Sequence, residues 1–524
     1  MPDDHKLDPE TAKPAPAHKH FWPRIAILGA GFSGMGMAIR LRQEGFDNFT
    51  IYEKADEVGG TWRENRYPGV ACDVPSHLYS FSFEPNPRWT RRYSPGGEIF
   101  EYSKHCARKY DLYRSIEFGK CVTAIRHDGT EWRIAFADGA VATADFVISG
   151  LGGLHEPSIP DIPGRDDFAG PVFHTALWRD DVDLADKRVA IIGSAASAVQ
   201  VIPELVDKVA HLDIYQRTAN WIFPRMSYGY PQWLRELFAR APLLARAYRA
   251  FYFNMLEWRF LAFHKNENYM KRHVRTAFDK LLAAQVSDPA LREKLTPDYP
   301  VGCKRILVSD DYLPSIQKPN VDLVTTGIEA ITAHGVRTKD GAEHKADAIV
   351  MATGFKVFDI LESIDVIGPS GKNLRDVWKD GIKAHRTVAV PGFPNFFILL
   401  GPNSALGHNS VILMIEAQVN YLIKLIRNAK PGALISPLAE AADVYDERIQ
   451  RELQDRVWAA RCGAWYVDER GRNFTLYPRN VRAYLKEMRT PVFKEYESVE
   501  RREKTPLAGG DKVDSLMAGI KASI

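Results

Sequence analysis

Two blocks of this chain repeat one hydrophobic–polar pattern. Residues 24–34 read RIAILGAGFSG, a short apolar run that breaks into glycines. The helix-like stretch GMGMAIRLRQEG follows, then a second apolar run, Phe49 to Tyr52, that ends at Glu53. Residues 188–198 read RVAIIGSAASA, again an apolar run entering a turn of small residues. The stretch VQVIPELVDKV and the run HLDIY come next, and Gln216 and Arg217 end that run. Each block predicts a strand, a tight turn, a helix and a parallel strand. Two further runs, DFVISG at 145–150 and DAIVMATG at 347–354, predict buried strands that close the two halves. The fold class expected is α/β, with two Rossmann-like dinucleotide-binding domains, the second inserted in the first.

The first turn carries G-x-G-x-x-G as Gly29, Gly31 and Gly34, with Phe32 and Ser33 opening the helix. Gly29 permits the turn, Gly31 lets backbone approach a pyrophosphate, and Gly34 lets helix and strand pack closely. Glu53 stands 24 residues beyond Gly29, close to the spacing of a ribose-binding carboxylate. The second turn differs in two respects. At the same offset from Gly193 stands Arg217, a cation suited to a 2′-phosphate. The second site is therefore expected to prefer NADPH over NADH. Ala195 replaces the middle glycine, which weakens the motif without erasing it.

The expected domains are a disordered leader at 1–20, the first dinucleotide domain at 21–155 and 351–490, and the second at 156–350. Residues 229–297, rich in Trp, Arg and Leu, predict a helical subdomain within the second. The tail, 491–524, is expected to be loosely held. Within the helical part, APLLARAYRAFYFNMLEWRFLAF is the longest apolar stretch, but Arg246, Arg249 and Arg259 interrupt it. It falls short of the ~18 apolar residues of a membrane span. A buried helix with snorkelling arginines is the expectation, rather than one lying on a membrane surface. Lys plus Arg is 69 and Asp plus Glu is 66, a net charge of +3 that argues against a general nucleic-acid binder. The five cysteines are scattered without a C-x-x-C pair. They predict no disulfide framework and no thiolate metal site, and fit a reducing, cytoplasmic setting. No His/Asp/Glu spacing suggests a metal, and no G-x-S-x-G elbow suggests a hydrolase.

Residues 59–73, GGTWRENRYPGVACD, resemble a signature of class B flavoprotein monooxygenases, and of Baeyer–Villiger monooxygenases in particular. Residues 168–178, FAGPVFHTALW, resemble the Baeyer–Villiger linker signature through Phe168, Gly170, His174 and Trp178, although Arg179 intervenes before Asp180. The resemblance continues through QRTANW (216–221), CKR (303–305), ATGF (352–355), GPNSALGH (401–408) and WAARCGAWYVDERGRN (458–473). It spans roughly residues 20–490 and implies FAD in the first site and NADPH in the second. It further implies that O2 adds at the flavin C4a position. The resulting peroxide anion would attack a ketone and give an ester or lactone.

By the same resemblance, Arg305 is the catalytic arginine. An anionic oxidant and an anionic adduct both call for a fixed guanidinium. Asp73 would hold Arg305 through a bidentate pair. Lys304 and Thr218 would join Arg217 around the 2′-phosphate. Lys54, Gly60, Thr61, Trp62, Val74, Tyr79 and Val122 would contact FAD. Ser194, Ala195, Ala196, Ser197, Ala198 and Gln200 would line the NADP site. His174 is expected to anchor a linker by hydrogen bonding rather than to transfer protons. The alternatives are an N- or S-oxidising flavin monooxygenase, a flavin disulfide reductase, for which Cys72 lacks a close partner, and a non-catalytic nucleotide-binding protein.

Overall fold

The computed structural model describes residues 23–264, 268–357, 364–460, 462–468 and 470–500. The leader expected at 1–20 lies outside them. Two parallel five-stranded sheets carry the architecture. In the first, the strand order is Phe396–Ile398, Phe146–Ser149, Ile25–Leu28, Phe49–Tyr52, Ile116–Glu117. In the second it is Val321–Val324, His211–Tyr215, Arg188–Ile192, Ala348–Met351, Val172–His174. The central strands of both sheets are buried on both faces, as parallel strands covered by helices require.

The sequence repeat has a shared physical basis. Asp145 Oδ2 accepts the backbone N–H of Arg24 at 2.8 Å, and Asp347 Oδ2 accepts that of Arg188 at 2.8 Å. In each sheet the aspartate that opens the closing strand thus pins the start of the first strand. The pin fixes the register that brings both glycine turns to the carboxyl ends of their sheets, where ligands of such sheets bind.

Residues 229–297 are dominated by helices: Gln232–Arg240, Pro242–Arg259, Asn268–Gln285 and Pro289–Lys294. Among the described residues no helix is long and apolar enough to cross a membrane. The Pro242–Arg259 helix is buried on one face only, through Ala245, Tyr252, Leu256 and Glu257, while Leu243, Phe251 and Trp258 are exposed. Arg249 does not snorkel. Its guanidinium turns inward and donates to the carbonyls of His77 and Leu78 and to Ser80 Oγ. Glu257 likewise reaches across, accepting Asn409 Nδ2 and the N–H groups of Val481 and Arg482. A buried charge is tolerated when its oxygens are this fully bonded. These contacts dock the helical part on the first domain.

Two expectations are corrected. Part of the tail is held: Tyr496–Glu500 pairs antiparallel with Ala433–Pro437, and Glu495 binds Arg386. The charged composition hid this, because the anchors are one tyrosine, whose hydroxyl meets Tyr421 at 2.9 Å, and one ion pair. Residues 501–524 lie outside the described part. The cysteines are also not all free, since Cys303 and Cys462 form a disulfide. They are 159 residues apart, a separation at which spacing carries no signal.

Burial pushes His77, His174 and His385 down to about 4. The unfolded chain takes up these protons near pH 6.5, whereas the folded chain resists until about pH 4. Stability is therefore full above pH 6.5 and is lost as pH falls toward 4. The loss at pH 5 is roughly 2 kcal/mol for each histidine. Urea midpoints at pH 7 and pH 5 check this, and His77→Phe, within its cage of Tyr230, Phe238 and Tyr248, should flatten the dependence.

Candidate active site

The first glycine turn is built for close backbone approach. Gly29 has φ +89°, and a Cβ on Gly34 would lie 1.9 Å from the Gly29 carbonyl oxygen. Gly34→Ala should therefore fail to retain the flavin and lose folded protein, since the clash is with backbone that has no rotamer to change. Flavin absorbance per folded protein checks this. A Cβ on Gly31, by contrast, would meet only Gly60 Cα at 3.7 Å. The protein's own packing does not demand that glycine, which leaves a backbone-lined cradle between Gly31 and Gly60. The helix Phe32–Gln43 opens there with Gly31 as its cap, so its N-terminal N–H groups face the cradle. Glu53 is 5% exposed and accepts the N–H of Ala30 at 2.7 Å and of Ala55 at 3.0 Å. Both oxygens are fixed, and each keeps a lone pair for a ribose hydroxyl. This donor and acceptor set fits a dinucleotide.

Around it the expected contacts vary in accessibility. Phe32 and Ser33 are buried in the helix's first turn. Thr61 and Trp62 lie partly exposed on the short helix Thr61–Glu64. The Trp62 indole N–H donates to Tyr79 Oη at 3.1 Å, and Val74 is buried beside them. Lys54 is exposed near Glu64. Val122 lies in the core with Ala26, Leu28 and Tyr52.

In the second turn Gly193 has φ +114°, and a Cβ there would meet the Ala352 carbonyl oxygen at 2.4 Å. Ala195 caps the helix Ala196–Leu205 with an ordinary φ of −88°. The alanine in the middle position is thus unstrained, and Ala195 and Ala196 are exposed at the turn. Ser194 is buried, and its carbonyl accepts Asn220 Nδ2 at 3.0 Å. Ala198 faces the core. Arg217 is exposed beyond the strand His211–Tyr215, with Thr218 beside it, and forms no ion pair among the described residues. Lys304 lies over the Tyr299 ring at 4.7 Å. Burial and the neighbouring Arg217 charge both lower the Lys304 ammonium. The Asp298 carboxylate opposes this only in part, and two neighbouring cations of this kind fit a phosphate group.

Gln200, expected to line the NADP site, has its side chain bonded across the domains. Its side chain crosses to the first domain, accepting Tyr67 Oη at 2.9 Å and donating to the Ala71 carbonyl at 2.9 Å. Gly69 packs so tightly there that a Cβ would lie 2.3 Å from the Gln200 carbonyl oxygen. The Tyr67-Pro68-Gly69 signature is thus a joint between the two domains. Gly69→Ala, which also forces an alanine to φ +79°, should loosen that joint. Faster proteolysis between the domains, with the individual sheets intact, is the expected readout.

Asp73 and Arg305 meet as expected, in a different geometry. Arg305 Nε and Nη2 both reach Asp73 Oδ2, at 2.7 and 2.6 Å. The pair is a fork on one oxygen rather than on two. Nη1 points to the Leu406 carbonyl at 3.4 Å, so the 401–408 segment joins the site. The side chains are 39% and 35% exposed, so the pair is open to a ligand rather than sealed in the core. The Asp73 charge, outweighing burial, holds the guanidinium protonated. Other arginines, not foreseen from the sequence, surround the pair. Arg225 donates to the Cys72 carbonyl at 2.8 Å and lies over Tyr93. Burial and then Arg305, opposed by Tyr93 and Asp73, act on Arg259. Their signal was the positive excess among residues 217–305, which no motif marks. The site is a cluster of cations around one carboxylate, able to stabilise developing negative charge.

His174 Nδ1 accepts the Ala176 N–H at 3.1 Å, and burial keeps the ring neutral near its strand end. It holds the linker turn, and Trp178 packs edge-on against Phe173 at 5.3 Å. Away from the site, the half-buried His211, the buried Asp213 and the exposed Asp322 also converge. There the imidazole pairs with both acids at 3.3 Å.

A family model described as pyridine nucleotide-disulphide oxidoreductase matches residues 26–241. A Streptomyces coelicolor protein described as a Baeyer–Villiger monooxygenase is 42% identical over 92% of this chain and 93% of its own length. A crystal structure of cyclohexanone monooxygenase with ε-caprolactone superposes with TM-score 0.82, at 27% identity, covering 91% of this chain and 99% of that one. A structure of OTEMO with FAD and NADP gives TM-score 0.81 at 26% identity, over the same shares. With the paired sheets, the two glycine turns and the Asp73–Arg305 pair already in place, these likenesses show that the chain belongs to the Baeyer–Villiger monooxygenase family of flavoproteins.

Proposed function

We propose that this enzyme converts a ketone, O2, NADPH and a proton into an ester or lactone, water and NADP+. The observation that carries the reading is the Asp73–Arg305 pair, placed where the 59–73 signature, the 401–408 segment and the Lys304 side of the second site converge. FAD, when bound, takes electrons from NADPH and activates O2. Residues Gly29 to Gly34, Glu53 and Gly60 to Trp62 hold it. The turn at Gly193–Ser197, with Arg217, Thr218 and Lys304, holds NADPH.

The rest of the work belongs to the chain. Arg305 stays charged, and its guanidinium offers donors to oxygen atoms that gain negative charge during oxygen insertion. Asp73 fixes the guanidinium plane and balances its charge while the site is at rest. Arg225 and Arg259 add positive potential. The Gln200 joint keeps the two nucleotide sites in reach of one another. The domain boundaries that serve this are 21–155 and 351–490 for FAD and 156–350 for NADPH, with the helical insert 229–297 docked on the FAD part. The substrates are a small-molecule ketone and O2, and the working place is the cytoplasm. An anaerobic titration tests the cofactor part. NADPH should bleach the yellow protein at far lower concentration than NADH, and equal titrations would contradict the assignment of Arg217, Thr218 and Lys304.

A further inference from the structure

We infer that the Cys303–Cys462 disulfide is a redox-modification site that positions Arg305 and Lys304. The inference rests on the role proposed above for those two residues. Arg305 is two residues from Cys303, in backbone that belongs to no sheet, because the next strand begins at Leu307. Trp458 and Tyr466 fix that backbone. The Trp458 indole donates to the Gly302 carbonyl at 3.1 Å, and the Tyr466 hydroxyl donates to the Cys303 carbonyl. Phe263, at the end of the helical part, packs on Trp458 at 5.2 Å and lies against Gly302. The disulfide is the covalent member of this set, and at Cys303 it lies next to Lys304 and two residues from Arg305.

The two sulfurs differ in access. Cys303 is fully buried, whereas Cys462 is partly exposed. A dithiol therefore attacks Cys462 Sγ, the S–S bond breaks, and Cys303 leaves as a thiolate that takes up a proton. The second thiol of the reductant then displaces Cys462. Two electrons and two protons pass to the protein, and the reductant becomes a disulfide. The product is accommodated in place, because Cys303 Sγ lies 2.9 Å from the Ala460 carbonyl, an acceptor for the new S–H. Hydrogen peroxide reverses the change, with two thiols giving the disulfide and two waters. Of the remaining cysteines, Cys72 and Cys106 are buried, and only Cys121 is exposed.

Opening the brace leaves Arg305 its side-chain bonds to Asp73 and Leu406 but frees its backbone to shift. A displacement near 1 Å in a catalytic group costs on the order of 10²-fold. The holoenzyme is to be assayed oxidised, reduced with dithiothreitol, and reoxidised with peroxide, with thiols mapped by alkylation and peptide mass in each state. The readouts are ester formed per NADPH consumed and KM for NADPH. Reduction should lower the coupling about tenfold or more and raise the NADPH KM, and reoxidation should restore both. Cys462→Ser should behave as the reduced enzyme and ignore dithiothreitol. Two results overturn the inference: no Cys303–Cys462 linked peptide after oxidation, or unchanged coupling and KM across the three states. Should no ester form in any state, the ketone reading fails. The linked peptide and the NADPH KM, read by NADPH oxidation alone, still decide the brace.

Discussion

Arg305→Ala should bind FAD, accept electrons from NADPH and release hydrogen peroxide, while ester formation falls on the order of 10²- to 10³-fold. The reason is geometric. Arg305 reaches Asp73 through Nε and Nη2 and Leu406 through Nη1, and no other described arginine bonds to Asp73. Removing it leaves Arg225 and Arg259 nearby, but Arg225 is tied to the Cys72 carbonyl and cannot replace its reach. Arg305→Lys should recover only part of the loss, because a point charge lacks the fork that holds to both Asp73 and the reacting oxygen. Asp73→Asn keeps the shape and removes the charge, so its effect should be smaller. The three variants are ranked by ester yield per NADPH. An alanine variant with normal ester yield would remove Arg305 from the chemistry.

Arg217→Ala should raise the KM for NADPH about 10- to 100-fold and leave that for NADH near its original value. A charge-assisted hydrogen bond is worth roughly 1.5–3 kcal/mol, which sets this range. Arg217 is exposed and free of ion pairs among the described residues, and it raises the cost of keeping Lys304 charged. That strain is relieved when a phosphate sits between them. Lys304→Ala should act in the same direction and less strongly, since Lys304 also stacks on Tyr299. Equal effects on the two nucleotides would assign both cations a structural role. Arg217→Ala with Lys304→Ala should be less than additive, because both contact one group.

The two sheets were legible because the βαβ grammar repeats with its acids in place. Arg24 with Asp145 and Arg188 with Asp347 are the same device written twice. Arg305 and Asp73 were legible only through the resemblance, since nothing in residue spacing pairs positions 232 residues apart. The bonds of Gln200 across the domains were hidden for a related reason. Its position in the second turn's helix pointed to the nucleotide, whereas its partner Ala71 lies 129 residues away in sequence. The disulfide was hidden because cysteine counting looks for short spacings, whereas these two meet through tertiary packing. The strand Tyr496–Glu500 lacked a strong apolar alternation and borrows its stability from Ala433–Pro437.

The central claim is oxygen insertion beside a ketone carbonyl. The most direct test gives the purified yellow protein NADPH, isotopically labelled O2, a mixture of linear, cyclic and aryl ketones, one amine and one sulfide. Products are identified by mass spectrometry. The account expects esters or lactones that carry one labelled oxygen atom each, with NADPH consumed in step. N- or S-oxides without any ester, or NADPH consumed to hydrogen peroxide alone across the ketone panel, would contradict it.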